Sequence, residues 1–330
     1  MGLKVAVLVG GSPFEYQFSL VSGRCVREAL EEAECEPVLV EAKGDLVSTL
    51  RDVRPDLCYI AMHGKSGEDG GVQSLLELLG IPYIGATASV CRKTWDKDAL
   101  RSALETYQDW IGEPPVASWP QGVSISREAF DDMGAAQALD QVGERMCGGF
   151  PVVVKPARGA SGRGVRRVEA REQLEEAVKD VLAVDERAVI EQWVEGVEMA
   201  VSIVGTGWEA SALPPVEVVS ATGMYDASAR MTAGAVDFYA PVRAASLSDD
   251  EGDAQAIRAE VERAALEAYR ALGLRDLARI DLVWDGAQAR IFDVSVSPAM
   301  SESSLFPMAC EAADLDLSDV LGELAAQYEG

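Results

Sequence analysis

The sequence predicts an α/β protein made of a small N-terminal parallel sheet followed by two segments that mix strands with helices. Two observations carry this. The first ninety or so residues alternate short apolar runs with helical periodicity, and beyond Trp95 the pattern changes to short strands around glycine-rich turns. With 330 residues, 48% of them hydrophobic, the chain can bury a sizeable core and has room for two or three small domains.

The run Lys4–Val9 reads as the first strand. Val26, Ala29, Leu30 and Ala33 recur at helical spacing, and residues 37–40 and 57–61 give two further strands. The loop Gly10-Gly11-Ser12-Pro13 and the loop after Ala61 both fall at carboxyl ends of strands, where open α/β sheets bind ligands, so site residues are expected there. A polar connection around Glu113-Pro114-Pro115 leads to strands at 151–155 and 165–168. A helix over 172–182 keeps Leu174, Val178 and Val181 or Leu182 on one side, and strands follow near 188–192 and 198–204. A loop-like stretch, 220–240, precedes a long helix over 254–272. Strands at 278–284 and 289–296 flank Asp285-Gly286, a strong hairpin signal.

Charge and cysteine usage exclude several classes of function. A net charge of −26 repels nucleic-acid phosphates and anionic membranes, so neither is expected as a partner. The six cysteines, Cys25, Cys35, Cys58, Cys91, Cys147 and Cys310, form no Cys-x-x-Cys pair and accompany a single histidine. Zinc fingers, haem attachment and a stapled secreted fold therefore lack support, and a reducing cytoplasm fits best. The opening apolar run is too short for a signal-peptide core or a membrane span.

Two stretches carry chemistry. Residues 151–168 read PVVVKPARGASGRGVRRV: a strand ending in Lys155, a loop with Gly159, Gly162 and Gly164, then a second strand. Such a loop can lay backbone N–H groups over phosphates while the lysine supplies a point charge, although a glycine-rich hairpin turn with a surface lysine gives the same pattern. It is neither a Walker loop nor a dinucleotide fingerprint, since the Gly-Lys-Ser order and the following helix are both missing. In the Asp285-Gly286 hairpin, alternation puts Ile280 and Leu282 on one face of the first strand, and Phe292 and Val294 on one face of the second. The opposite face collects Arg279, Asp281, Asp293 and Ser295. For the two apolar sets to share a core, the loop must hold three residues or the hairpin must contain a bulge. Asp281 and Asp293 would then suit Mg²⁺, which prefers a few carboxylates plus substrate phosphates; a solvated polar face with a surface ion pair is the alternative.

A resemblance now becomes visible. His63-Gly64-Lys65-Ser66-Gly67-Glu68-Asp69-Gly70 with Gln73, Leu75-Leu76-Glu77 and Gly80-Ile81-Pro82-Tyr83-Ile84-Gly85 resembles the signature of D-alanine-D-alanine ligases. Gly10-Gly11-Ser12 with Glu15 and Ser19-Leu20, Ser22-Gly23, Asp96-Lys97, Lys155-Pro156, Ile190-Glu191 through Gly196 and Glu198, Arg279-Ile280-Asp281, and Pro298 through Ser304-Leu305 follow in the family order. The resemblance spans nearly the whole chain. It implies an ATP-grasp fold: a Rossmann-like parallel-sheet domain over 1–94, a central subdomain over 95–208 with the phosphate loop, and a C-terminal subdomain over 209–330 with an omega-type loop at 220–242. The two α+β subdomains would sandwich ATP. It further implies a homodimer acting on small amino-acid-like substrates with ATP and one or two Mg²⁺ ions.

Roles follow from the resemblance residue by residue. Lys97 and Lys155 would hold phosphates beneath the loop with Gly162 and Gly164; Glu191 and Val194 would meet the adenine and Glu198 the ribose. Asp281, Asp293 and Ser295 would bind Mg²⁺. Arg279, with the backbone N–H of Ala299, would stabilise the oxyanion as the amine attacks the acyl phosphate. Glu15 would take the ammonium of the first amino acid, with His63 near its carboxylate. Ser161, Tyr225, Arg230, Met231, Ser304 and Leu305 would complete the substrate pocket.

Four departures bear on the substrate. The family's Glu-x-Asn metal motif is Asp293-Val294-Ser295, the glycine of its Pro-Gly-Met is Ala299, and the second serine of its phosphate loop is Gly162. In the segment Met224-Tyr225-Asp226-Ala227-Ser228-Ala229-Arg230-Met231, Arg230 stands for a lysine and Met231 for a tyrosine. The leading reading is an ATP-dependent carboxylate–amine ligase working through an acyl phosphate. Two alternatives stay open here: a specialised-metabolite enzyme with another or intramolecular nucleophile, as in D-cycloserine synthetase, and a nucleotide-binding homologue that has lost catalysis.

Overall fold

Apolar residues on both faces explain why two of the first strands are almost completely buried. β1 (Lys4–Val9), β2 (Glu36–Glu41), β3 (Leu57–Ile60) and β4 (Tyr83–Ile84) form a parallel sheet in the order β2-β1-β3-β4. β1 and β3 take its centre, as their continuous Val/Leu/Ile/Cys runs require, and the more polar β2 takes an edge. The structure is a computed structural model and describes residues 2–111, 117–135, 137, 139–140, 142 and 149–329; the Glu113-Pro114-Pro115 connection lies outside them. Helix Tyr16–Glu32 covers one face, and the C-terminal helix Leu317–Ala326 joins it there through Val320, Leu321 and Leu324 in one shared core.

β5 (Ala117–Ser118) leads into a second, antiparallel sheet of β6 (Gly122–Ser126), β7 (Val152–Pro156), β8 (Arg166–Val168) and β9 (Arg187–Gln192), ordered β6-β9-β7-β8. Helix Arg171–Leu182 packs on it through Leu174, Val178, Val181 and Leu182, the expected apolar stripe. The third sheet contains β10 (Val197–Val204), β11 (Ser211–Ala212), β12 (Val216–Ser220), β13 (Val236–Tyr239), β14 (Leu277–Trp284) and β15 (Ala289–Ser295). Its order is β13-β12-β10-β14-β15-β5, with β11 beside β10, and helix Glu251–Leu272 covers it. Buried Asp276 ties this sheet to the first, accepting from Gly85 N–H at 2.7 Å and from the Tyr328 hydroxyl at 2.7 Å. Among the described residues no helix is long and apolar enough to cross a membrane.

Three expectations change. β10 hydrogen-bonds along its whole length to β14, so it belongs to the third sheet, although a boundary drawn at residue 208 groups it with the second. The stretch 220–240 is not purely loop: it holds helix Ala227–Met231, capped by Asp226 accepting from Ala229 N–H, and β13, whose Val236 and Phe238 reach the core. Elements of four and five residues are too short for periodicity to reveal. In the hairpin, Asp281 pairs with Asp293 but Leu282 pairs with Ile291, so Phe292 is the extra residue of a bulge. Of the two arrangements the alternation allowed, the bulge is the one formed, but the residues on the core face are Ile291 and Val294; Phe292 instead lines a cavity. Its effect is to turn Arg279, Asp281, Asp293 and Ser295 to the same side.

Candidate functional site

Between the second and third sheets lies a cavity of about 580 Å³, lined by Lys97, Lys155, Gly162, Val194, Glu198 and Asp281 among others. Lys155 projects from the end of β7 and is only 4% exposed. Its ammonium lies 2.6 Å from Glu191 Oε2 and donates to Phe292 O at 3.2 Å. Burial pushes the Lys155 ammonium below its ordinary value, while the Glu191 carboxylate opposes that shift. Lys97 opens helix Lys97–Ile111, donates to Gly159 O at 3.1 Å and stands 3.6 Å from Asp293. Two ammonium groups thus point into one cleft from different elements. Burial, helped by Asp281, pushes the Glu198 carboxyl up to about 7 against Arg230 and Arg279.

A second cavity of about 190 Å³ adjoins the first and shares Tyr225, Arg230, Asp293 and Leu305 with it. Glu15, His63, Ser161, Arg279, Ser295, Ala299 and Ser304 are also in its wall. Arg279 and Asp281 form a buried two-pronged pair, Nε to Oδ1 at 2.6 Å and a terminal nitrogen to Oδ2 at 2.7 Å. Burial opposes the Arg279 charge, but Asp281 more than offsets it and holds the guanidinium above its usual value. Burial likewise raises Glu15, with Arg163 acting against it. Arg230 stacks over the Tyr225 ring at 3.9 Å, and its Nε has no hydrogen-bond partner among the described residues.

His63 plays a different part from a free acid or base. Nδ1 donates to Ser297 O at 2.9 Å, and Nε2 accepts from the Ser22 hydroxyl at 2.9 Å, which itself accepts from Met300 N–H at 3.1 Å. This relay fixes the backbone beside Ala299. Burial lowers the His63 pKa to about 4, so the ring stays neutral at neutral pH. Because the folded value lies below the ordinary 6.5, the contribution to stability is complete above pH 6.5 and is lost as pH falls through 4. The difference in unfolding free energy between the native chain and His63→Gln should therefore shrink by about 3 kcal/mol between pH 6.5 and 4, measured by urea unfolding.

Glu68 received no role from the sequence, although it sits inside the quoted motif. Buried, it accepts from Gly64 N–H at 2.8 Å and from the Ser295 hydroxyl at 3.3 Å, and burial pushes its carboxyl up to about 7. A glutamate five residues after a histidine, at the end of the four-residue helix Lys65–Glu68, carries no periodic signal, so only the packing reveals it.

The loop between β7 and β8 reaches both other lobes. Arg158 pairs with Asp96, and Arg163 lies over the Phe14 ring at 5.0 Å. Gly162 has φ +69°, and a Cβ there would stand 2.9 Å from Ala227 N and 3.0 Å from Asp226. Glycine permits this approach to the helix at 227–231. Gly162→Ser, which puts a side chain in the left-handed region against that backbone, should therefore lower Tm by about 2–4 °C, measured by thermal melts.

Of the residues to which the resemblance gives a role in the site, all line one or both cavities except two. Gly164 lies in the loop without lining either, and Met231 is 65% exposed and lines neither, so the expected apolar wall from Met231 is not formed. Its position at the last residue of helix Ala227–Met231 turns the side chain outward while Arg230 turns in.

Comparison with known proteins matches the sequence patterns described as D-ala D-ala ligase N-terminus over residues 48–86 and D-ala D-ala ligase C-terminus over residues 124–326. A D-alanine--D-alanine ligase of Desulforudis audaxviator is 35% identical over 322 residues, 97% of each chain. The chain belongs to the D-alanine-D-alanine ligase family. A second family member, from Pelotomaculum thermopropionicum, is 34% identical over 98% of this chain and 96% of its own. Among solved structures, the Bacillus anthracis D-alanine--D-alanine ligase complexed with ATP is 25% identical with a TM-score of 0.73, covering 99% of this chain and 98% of that one. The VanG D-Ala:D-Ser ligase of Enterococcus faecalis shares the fold, with a TM-score of 0.80 at 21% identity, covering 99% of this chain and all of that one. These family structures have the ATP-grasp fold, and the three sheets of this chain follow it.

Proposed function

We propose that the chain is an ATP-dependent carboxylate–amine ligase that joins two D-amino acids, D-alanine the first candidate for each, through an acyl phosphate. The observation that carries the reading is the meeting of two cavities at Asp293, Arg230 and Tyr225, one with two buried lysines and the other with Glu15 and Arg279. The first suits ATP and the second a pair of small amino acids, with the terminal phosphate directed at their junction.

Lys97 and Lys155 hold the phosphates, and the loop 158–164 covers them. Glu191, Val194 and Glu198 line the part of the cavity that takes adenine and ribose. Asp281 and Asp293 lie directly opposite each other across β14 and β15 and face the cavity. Two carboxylates facing one cavity, with Ser295 in the wall of the adjoining one, suit an ion that also takes phosphate oxygens. Mg²⁺ bound there would neutralise charge on the transferring phosphate. Glu15 accepts from the ammonium of the first amino acid. The carboxylate of that first amino acid takes the terminal phosphoryl group as the bond to ADP breaks; the free amine of the second then attacks the acyl carbon, phosphate leaves and the nitrogen gives up its proton. Arg279 and Ala299 N–H stabilise the oxyanion of that step.

The two alternatives have no observation of their own in favour. Lys97, Lys155, Arg279 and Asp281 are all retained and grouped, which leaves no case for lost catalysis. The test is phosphate release from Mg·ATP with D- and L-amino acids, singly and in pairs, with mass detection. A product mass equal to two D-alanines minus water supports the reading. Release of no phosphate with any D-amino acid pair sinks it, and a product equal to one substrate minus water moves the reading to cyclisation.

A further inference from the structure

Trp119 has no assigned role, yet it touches both charged residues at the base of the larger cavity. It follows β5, which runs parallel to β15 in the third sheet, and precedes β6, which belongs to the second, so the chain crosses between sheets at this residue. The crossing leaves Trp119 buried beside β7 and β9. Its indole N–H donates to Glu191 Oε1 at 2.5 Å, and the Lys155 ammonium sits 5.1 Å above its ring. Glu191 Oε2 is 2.6 Å from the same ammonium. Each carboxylate oxygen therefore has one partner, and the ammonium is held from two sides.

The neighbourhood is built to keep this arrangement. Val153 of β7 pairs with Glu191 of β9, which makes Lys155 the diagonal neighbour of Glu191 on one face. On the other side of β9, Gly122 pairs with Glu191, and a Cβ there would stand 2.7 Å from Glu191 Cγ. A carboxylate confined this closely and buried to 2% exposure needs both partners, since a buried charge with a free oxygen is costly.

We propose that Trp119 is a positioning residue for nucleotide binding: its indole N–H fixes Glu191 so that Glu191 and the indole ring together aim the Lys155 ammonium at the phosphates of ATP. Trp119 itself does not line the cavity. It acts through Glu191, and this inference rests on the ligase reading above.

The test compares Trp119→Phe, Trp119→Leu, Glu191→Leu and the double variant Trp119→Phe/Glu191→Leu in the full-length chain. ATP binding is measured by calorimetry well below the unfolding midpoint of each variant, and turnover by phosphate release. Phenylalanine keeps a ring beneath the ammonium and removes only the N–H. Its expected effect is about tenfold weaker ATP binding with kcat at saturating ATP within about twofold of the native value, the scale of one charge-assisted hydrogen bond. Leucine removes the ring as well and should weaken binding further. In the Glu191→Leu background, Trp119→Phe should change ATP affinity by less than about twofold, because the group it acts through is gone. A full tenfold loss in that background overturns the proposal, as does Trp119→Phe with native ATP affinity, or a fall in kcat with affinity unchanged. A native chain that neither binds nor consumes ATP fails the ligase reading itself, before any variant is compared.

Discussion

Arg279→Met is expected to lower phosphate release by on the order of a thousandfold while leaving ATP binding within about tenfold of native. The asymmetry follows from position: Arg279 lines the smaller cavity and lies outside the lining of the larger one, whereas its partner Asp281 lines the larger. Arg279 and Ala299 line the same smaller cavity, where the tetrahedral oxyanion would form. Truncating Arg279 also strands a buried carboxylate, so Arg279→Met should cost about 3–5 kcal/mol of stability. Adding Asp281→Asn should recover most of that stability and none of the activity. Arg279→Lys should recover less than a tenth of native turnover, because one ammonium cannot span both Asp281 oxygens in the geometry seen here. Urea unfolding and single-turnover phosphate release separate the two effects. Turnover within tenfold of native in Arg279→Met would remove Arg279 from the chemical step.

How much of this was legible in the sequence depends on the scale of the pattern. Three strands of the parallel sheet could be read because each carries a short apolar run, and β1 and β3 are buried on both faces as such runs demand; the two-residue β4 could not. The convergence of Arg279, Asp281, Asp293 and Ser295 could also be read, because alternation left no other way for Ile280, Leu282 and Val294 to share a core. The location of the bulge could not. Either Ile291 or Phe292 is apolar enough to face inward, and only the register of the folded hairpin, which puts Ile291 opposite Leu282 and Phe292 at the larger cavity, decides between them. β10 was misplaced for a related reason: its alternation predicts a strand and says nothing about which sheet supplies its partners. Met231 was expected in a wall on the strength of its position in a motif, but a five-residue helix sets its direction, and that helix left no trace in the periodicity. Glu68 and Trp119 act through contacts between residues that are far apart in sequence or set in loops, with Trp119 and Glu191 separated by 72 positions.

Lys155→Met is expected to weaken ATP binding by about a hundredfold, and the reason is the contrast between the two lysines. Lys155 is held by Glu191, Trp119 and Phe292 O, and Glu191 has no solvent to turn to. The nucleotide phosphates therefore meet an ammonium already fixed in place, with little side-chain entropy left to lose. Removing it deletes that prepaid contact and leaves a buried carboxylate with the indole as its remaining donor. Lys155→Met should thus lose stability together with affinity, and a further Glu191→Gln should restore stability alone. Lys97 differs because its acidic partner, Asp293, keeps a third of its side chain exposed and stands 3.6 Å away. Lys97→Met should therefore weaken ATP binding with Tm almost unchanged, since Asp293 can be solvated once the ammonium is gone. Lys155→Arg is expected to recover no more than about tenfold of the lost affinity, since a planar guanidinium cannot take the tetrahedral donor directions between Glu191 and Phe292 O. Calorimetric ATP binding and thermal melts on these four variants distinguish the lysines. Equal losses of stability in Lys97→Met and Lys155→Met would show that burial of the partner carboxylate is not what sets the cost, and ATP affinity within threefold of native in Lys155→Met would take Lys155 out of the phosphate site.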